Sequence, residues 1–429
     1  VTLRISLLAL IAVAGIATHV SAQQYYNPLA VDITRQVLKN LFESNAVPYV
    51  QPMVNTINAT SNGRFYDRAY VPRSVERPYI RVSVNGMVGY IDESQKWYTP
   101  QLDLGPRVNI VTELAKYGRL VIGPGGVDYV IGPTYEDTLG VASTVVSELF
   151  RDAQDSGYII VPDSAATLFG YRPDNPVFLP TSEQLLTVLR NNSIYKTLDE
   201  NSQKALEELI LSAQLPTKLT LPPGVNMNTI IAAVPQIEIG SLFGTEALIR
   251  IVPPVEFDPN VGKFSFWAFG LKHSLSQYFP ERWFDLAVQG VYQGTQLRNT
   301  VGFTESKLEA DATIFSGNIH ASKNLWDVLD VYTGIALEHI TATSTYTYVL
   351  PQETQIQLGL LPAPPPGEPA VPTPEQPGDD KPQTSVVTVN DENVKWTIGV
   401  SASYWGFRLA IDYNVSYFNI LTAGLSYTF

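Results

Sequence analysis

From Val394 to the C-terminus, hydrophobic and polar residues alternate with period two. Val394, Trp396, Ile398, Val400, Ala402 and Tyr404 alternate with Lys395, Thr397, Gly399, Ser401 and Ser403. Trp405, Phe407, Leu409, Ile411, Tyr413, Val415 and Tyr417 alternate with Gly406, Arg408, Ala410, Asp412, Asn414 and Ser416. Leu421, Ala423, Leu425, Tyr427 and Phe429 alternate with Thr422, Gly424, Ser426 and Thr428. Such alternation predicts strands with one apolar and one polar face. A soluble sandwich alternates too. Here the strands are long enough to cross a bilayer obliquely, which takes about 9–11 residues. Aromatic residues also sit at their ends, where an interfacial belt lies. A transmembrane β-barrel accounts for both features.

Earlier segments extend the pattern: 236–242, 245–257, 264–276, 283–297, 307–322 and 328–349, with Tyr79 to Asp92 as a separate strand. In 307–322, Leu308, Ala310, Ala312 and Ile314 alternate before Phe315 breaks phase. The short connections are Phe243-Gly244, Phe279 to Arg282, Lys323 to Asp327 and Tyr404/Trp405; those near 258–263, 298–306 and 350–393 are longer. Short turns at one end and long loops at the other are a bacterial barrel's habit. The expectation is an antiparallel barrel of about 10–14 strands, even in number, with both chain ends on the periplasmic side. The segment 350–393 contains ten prolines and reads as a disordered outer loop.

The first half has other periodicities. Leu29, Ile33, Val37, Leu38, Leu41 and Phe42 recur at helical spacing over 28–45, and a Pro-bounded stretch from Tyr49 to Asn62 follows. Residues 23–75 are thus expected to be an N-terminal helical segment, a candidate plug. Helical patterns over 137–155, 182–192 and 199–213 form an insertion, 137–215, in a barrel that spans 76–429.

Residues 1–22 read as a secretory signal peptide: Arg4, an apolar run from Ile5 to Ala17, then Val20-Ser21-Ala22 at the cleavage positions. Removing them takes away one cation and leaves 27 basic and 41 acidic residues. That balance excludes nucleic acid as a partner, which demands clustered cations. The chain has no cysteine, so disulfides, thiolate metal sites and a lipid-anchored N-terminus are excluded. No apolar run of 18 residues follows the signal, so spanning helices are excluded as well.

Little in the sequence points to chemistry. His273, His320 and His339 fall in separate strands and read as wall residues; His339 near Ser344, with Glu338 or Asp330, is the one arrangement suggestive of a hydrolase. Gly123-Pro124-Gly125-Gly126 lacks the Lys-Ser/Thr of a phosphate loop and reads as a turn. By parity, Arg81, Glu246, Arg250, Glu309, Asp311, Arg408 and Asp412 are expected to line the lumen, as a structural ion-pair network or a solute path. Neither a catalytic set, a metal site nor a cofactor is expected.

Asn45-Ala46-Val47-Pro48-Tyr49-Val50-Gln51-Pro52, Asn62-Gly63-Arg64-Phe65-Tyr66-Asp67-Arg68-Ala69, Ala233-Val234-Pro235-Gln236, Gly244-Thr245-Glu246 with Arg250, and Gly270-Leu271-Lys272-His273 with Gln277-Tyr278 resemble a bacterial family of outer-membrane barrels without an established activity. The resemblance covers about 28–100 and 220–429. In style the set is distantly similar to long-chain fatty-acid transporters of the FadL type, which hold an N-terminal plug and pass hydrophobic solutes. No ligand-binding residue of those transporters matches here.

The expected protein is therefore exported to the outer membrane of a Gram-negative-type bacterium. Its partners are outer-membrane lipid and the barrel-insertion machinery, engaged through a C-terminal strand signalled by Tyr427 and Phe429. The expected function is passage of a small, hydrophobic solute. A structural or assembly-linked surface protein and an outer-membrane hydrolase are the alternatives. A lumen with a continuous path favours transport, and a packed one favours structure.

Overall fold

The computed structural model describes residues 26–429 apart from 108, 124–125, 193–194, 198–199, 214, 259–261, 280, 302–305, 367 and 380. The signal-peptide segment 1–22 and the expected helix cap at Asp199 lie outside the described residues.

Ten antiparallel strands close into a barrel: β1 (Tyr79–Tyr90), β2 (Thr229–Leu242), β3 (Thr245–Asp258), β4 (Gly262–Ser274), β5 (Asp285–Val301), β6 (Ser306–Leu325), β7 (Leu329–Tyr348), β8 (Gln383–Tyr404), β9 (Phe407–Val415) and β10 (Ile420–Thr428). β1 pairs with both β2 and β10, which closes the ring; beyond the ring, β8 before Trp396 pairs only with β7 among the described residues. The fold class and even strand number follow the alternating pattern. The junctions β2–β3, β4–β5, β6–β7 and β8–β9 all lie at one end, here the turn end, which also holds the start of β1 and the end of β10. At the other, capped end, residues 91–228 leave between β1 and β2, and residues 349–382 leave between β7 and β8.

The outer face carries an apolar band. On β8 it runs from Val394 to Tyr404 on exposed alternate positions. Ten steps of roughly 3.3 Å, tilted about 40°, rise about 25 Å, the height of a barrel's lipid-facing belt. Trp283, Trp326, Tyr404, Trp405 and Phe429 stand exposed at its turn-end edge. At the capped end the pattern inverts. Phe315, His339 and Glu392 lie side by side in register on β6, β7 and β8. Beyond them the outward positions are polar: Thr341, Thr343, Thr345 and Thr347 on β7, Thr388 and Asn390 on β8. Inward, Ile314, Ile340 and Ala342 cluster with Val54 of the N-terminal segment, and Ser344 and Ser385 are buried further along the wall. β5 to β8 therefore stand above the belt as a wall that is wet outside and packed inside.

This inversion corrects two lumen assignments. Glu309 and Asp311 face outward, because Ala310 and Ile314 at the opposite parity are the buried ones. Phe315 keeps phase with them and faces outward instead of breaking the strand.

The N-terminal segment is one helix, α1 (Pro28–Ser61), not two. Pro48 and Pro52 cannot donate backbone hydrogen bonds, which ordinarily breaks a helix. Packing holds it together instead: Tyr49, Val50 and Met53 are buried among barrel side chains on either side of Pro52. The first turns of α1 pack in the cap, with Leu29, Ile33, Val37, Leu38 and Leu41 buried among α2 (Tyr135–Asp155), α3 (Ser182–Asn191) and α4 (Glu200–Ser212). Thr134 and Thr181 close capping boxes at the starts of α2 and α3. Gly123 and Gly126 pair across a hairpin spanning 118–131, as expected of a turn.

Two further expectations are corrected. The chain reaches the turn end only after passing through the barrel: Asn27 donates to the Ser212 carbonyl in the cap, 3.1 Å, whereas β10 ends at the turn end. The described ends therefore lie at opposite ends of the barrel. The segment 350–393 is not disordered. Gln383 already belongs to β8. Leu350, Leu358 and Leu360 are buried in the cap cluster, and Asp379 accepts from the backbone N–H of Leu350 at 3.0 Å and pairs with Arg35. Its apolar residues thus join the loop to the core of the cap.

Candidate functional site

Residues 62–69 continue from α1 down the lumen and touch eight of the ten strands. Lys395 Nζ on β8 donates to the Asn62 carbonyl at 2.8 Å, and Arg250 on β3 to the Arg64 carbonyl at 2.5 Å. Gln289 on β5 donates to the Phe65 carbonyl at 3.3 Å, and Ser401 on β8 to that of Asp67 at 3.0 Å. The Ala69 N–H donates to Ser322 on β6 at 2.8 Å, and Arg64 to the Ala410 carbonyl on β9 at 3.3 Å. Tyr66 stacks on His320 of β6, ring centroids 3.8 Å apart and planes 6° from parallel, and meets Tyr332 of β7 edge-on. Arg81 on β1 lies 3.5 Å from Asp67, and Gly63 packs against Thr422 of β10. A backbone outside helix and sheet leaves its polar groups unpaired; here the wall side chains supply partners.

Two wall glycines make room. A Cβ at Gly334 would collide with Tyr66 and His320, and one at Gly424 with Arg64 and Asn85. The lumen is otherwise closely filled. Small voids of about 10 Å³ each lie beside Asn62 to Tyr66 and beside Met53 and Val54.

The interior carries the cations Arg64, Arg68, Arg81, Arg250, Lys272, Lys395 and Arg408 beside the anions Asp67, Glu238, Glu246, Asp330, Glu338 and Asp412. They are linked in pairs and short chains. Arg81 reaches Glu238 at 2.5 Å and Glu246 at 3.5 Å; Lys272 reaches Glu246 at 2.6 Å. Arg408 pairs with Asp330 at 2.7 Å and Lys395 with Glu338 at 2.5 Å. Tyr332 donates to Asp412 at 2.9 Å, and Arg250 lies over the Phe65 ring, 4.3 Å from its centroid. The expected lumen residues Arg81, Glu246, Arg250, Arg408 and Asp412 are thus inside. Glu238, Lys272, Asp330, Glu338 and Lys395 join them. Their signal was present: a charged residue at the inward parity of a strand whose other parity is apolar.

The histidines do not converge. His273 bonds Thr245, Gln277 and Tyr278 at the turn end; His320 is inside; His339 faces out, 3.8 Å from Glu392. His339 and Ser344 stand on opposite faces of β7, so they form no dyad.

Above the filled lumen, a cleft of about 40 Å³ lies between α1, the cap and the β7–β8 wall. Phe42, Tyr49 and Val50 line it from α1, Tyr98, Leu221 and Pro222 from the cap, and Tyr346 and Val387 from the wall. Phe42 and Tyr346 meet edge-on at 5.4 Å. Burial pushes the Tyr98 phenol up, so it stays a neutral hydroxyl.

A protein family of unknown function, DUF6588, matches residues 161–429, more than half of the chain. The chain belongs to this family. The DUF6588 match takes in α3 and α4, so that part of the helical excursion is shared with the family and is not an addition to it. No curated protein matches the chain. A solved structure, Pseudomonas aeruginosa OpdK with vanillate, is similar at 8% identity over 83% of this chain and 99% of that one, with a TM-score of 0.11. That likeness is too slight to bear on fold or function.

Proposed function

We propose that this protein is an exported outer-membrane barrel sealed by its own N-terminal segment, a structural surface protein and not an open pore. The observation that carries this reading is the luminal chain 62–69, bonded to strands around the ring within an interior crossed by ion pairs. Ion-selective paths present their charges to water; here most of the interior charges are paired with one another away from water. The apolar outer band supports placement in a bilayer, with the capped end outward and the turn end in the periplasm. Insertion through the C-terminal strand, with Tyr427 and Phe429 as its aromatic signal, belongs to the same reading.

A gated passage for small apolar molecules is the second reading, favoured by the apolar cleft over the plug. Single-channel recording in planar bilayers separates the two. The cysteine-free chain permits one engineered disulfide, Gly63→Cys with Thr422→Cys, because a Cβ at Gly63 falls 3.2 Å from the Thr422 side chain. The sealed reading expects no conductance steps from the wild type or from this variant, oxidised or reduced. Steps in the wild type that vanish only in the oxidised variant would establish gating, and steps in every form would overturn sealing.

A further inference from the structure

We infer that the cleft between α1, the cap and the β7–β8 wall is a binding site for a small uncharged ring compound bearing one hydrogen-bonding group, of the phenol class. This goes beyond the sealed-barrel reading, because binding there requires no passage through the lumen.

Its chemistry follows from the lining. No charged side chain borders the cleft, so nothing there would compensate a carboxylate or an ammonium for lost hydration. Four rings, Phe42, Tyr49, Tyr98 and Tyr346, supply flat apolar surface. Two hydroxyls on the lining, Tyr98 Oη and Ser385 Oγ, are buried with no hydrogen-bond partner. An orphaned buried hydroxyl is costly and uncommon in native interiors. Asn45, the amide on the same lining, is not available to a ligand in the same way: its side chain donates to the Leu41 and Gln101 carbonyls and accepts from the Gln101 N–H. The unmet hydrogen-bonding capacity therefore sits at one cap residue and one wall residue, with rings around it. The space, that of about three waters by the measure that gives one water roughly 10–15 Å³, admits the hydroxyl edge of one ring and not an acyl chain.

The test uses the full chain in detergent, with phenol as the probe and toluene, benzoate and benzyltrimethylammonium as comparisons, titrated by saturation-transfer NMR. Ala46→Phe fills the cleft from α1; Tyr98→Phe keeps the ring and removes only the hydroxyl. Phenol should bind the wild type saturably, at least tenfold tighter than Ala46→Phe, whose residual signal measures partition into micelles. Tyr98→Phe should weaken phenol by about fivefold, the effect of one neutral hydrogen bond, and leave toluene unchanged. If Ala46→Phe does not fold, the Tyr98→Phe comparison decides alone. Equal phenol binding by wild type and Tyr98→Phe, loss of toluene alongside phenol, or tighter binding of benzoate or the quaternary ammonium would overturn the assignment.

Discussion

Asp67 lies 3.5 Å from Arg81, a carboxylate on the luminal chain against a guanidinium on the barrel wall, both shielded from water. Arg64 is 3.5 Å and Arg408 3.9 Å from the same carboxylate. One acidic group thus holds three cations from the plug, β1 and β9 together, so plug and barrel are parts of one folded unit.

Asp67→Asn should leave those guanidiniums short of one buried counter-charge. Breaking such a network by removing one partner costs about 3–5 kcal/mol. The folded, heat-modifiable band should convert to the unfolded one at a clearly lower temperature than in wild type, with Asp67→Glu in between. An unchanged conversion temperature would mean that the network does not bind plug to wall.

The apolar band sets a second expectation. Ile398 faces outward inside it and Thr343 faces outward above it. Ile398→Arg should cost about 2–4 kcal/mol and Thr343→Arg about 0–1 kcal/mol, as arginine does at mid-membrane and near the interface. Reversible unfolding in lipid vesicles measures both. Equal costs would remove the boundary drawn at His339 and Glu392.

Because the chain has no cysteine, single substitutions report exposure cleanly. Glu309→Cys and Asp311→Cys should react with an impermeant maleimide added to intact cells. Asp412→Cys, buried in the lumen, should react only after denaturation. Protection of the first two in intact cells, with labelling after periplasmic access, would reverse the orientation proposed here.

The Pro-rich loop offers a local test. Leu360 is buried in the cap cluster, and truncating a buried leucine costs about 2–5 kcal/mol. Leu360→Ala should loosen residues 350–382 and let protease added to intact cells cut there at least severalfold faster, while the barrel remains heat-modifiable. Equal cleavage of wild type and variant would show that the core of the cap does not hold the loop.

Much of this was legible from parity. The strands end within a few residues of their expected positions on β3, β9 and β10, and Arg81, Arg408 and Asp412 point inward as alternation requires. The expectation failed at Glu309 and Asp311 because it assumed one solvent arrangement for the whole length of β6. It failed again at Pro48, where the segment was divided into two stretches, because local propensity was read without the packing that overrides it.

By itself the sequence determined the barrel, since a period of two with one apolar face has few stable solutions once every edge must be paired. It determined the helices of the cap as well, through spacing and capping residues. Only the tertiary structure decided what lies on each side of the wall. Alternation distinguishes two faces but does not say which medium each meets. β6 carries apolar Phe315 and charged Asp311 on its outward face, and polar Ser316 and apolar Ile314 on its inward one. Which of these holds at a given height depends on where α1 enters and where the belt ends, and both are set by contacts between residues hundreds of positions apart, such as Asn62 and Lys395.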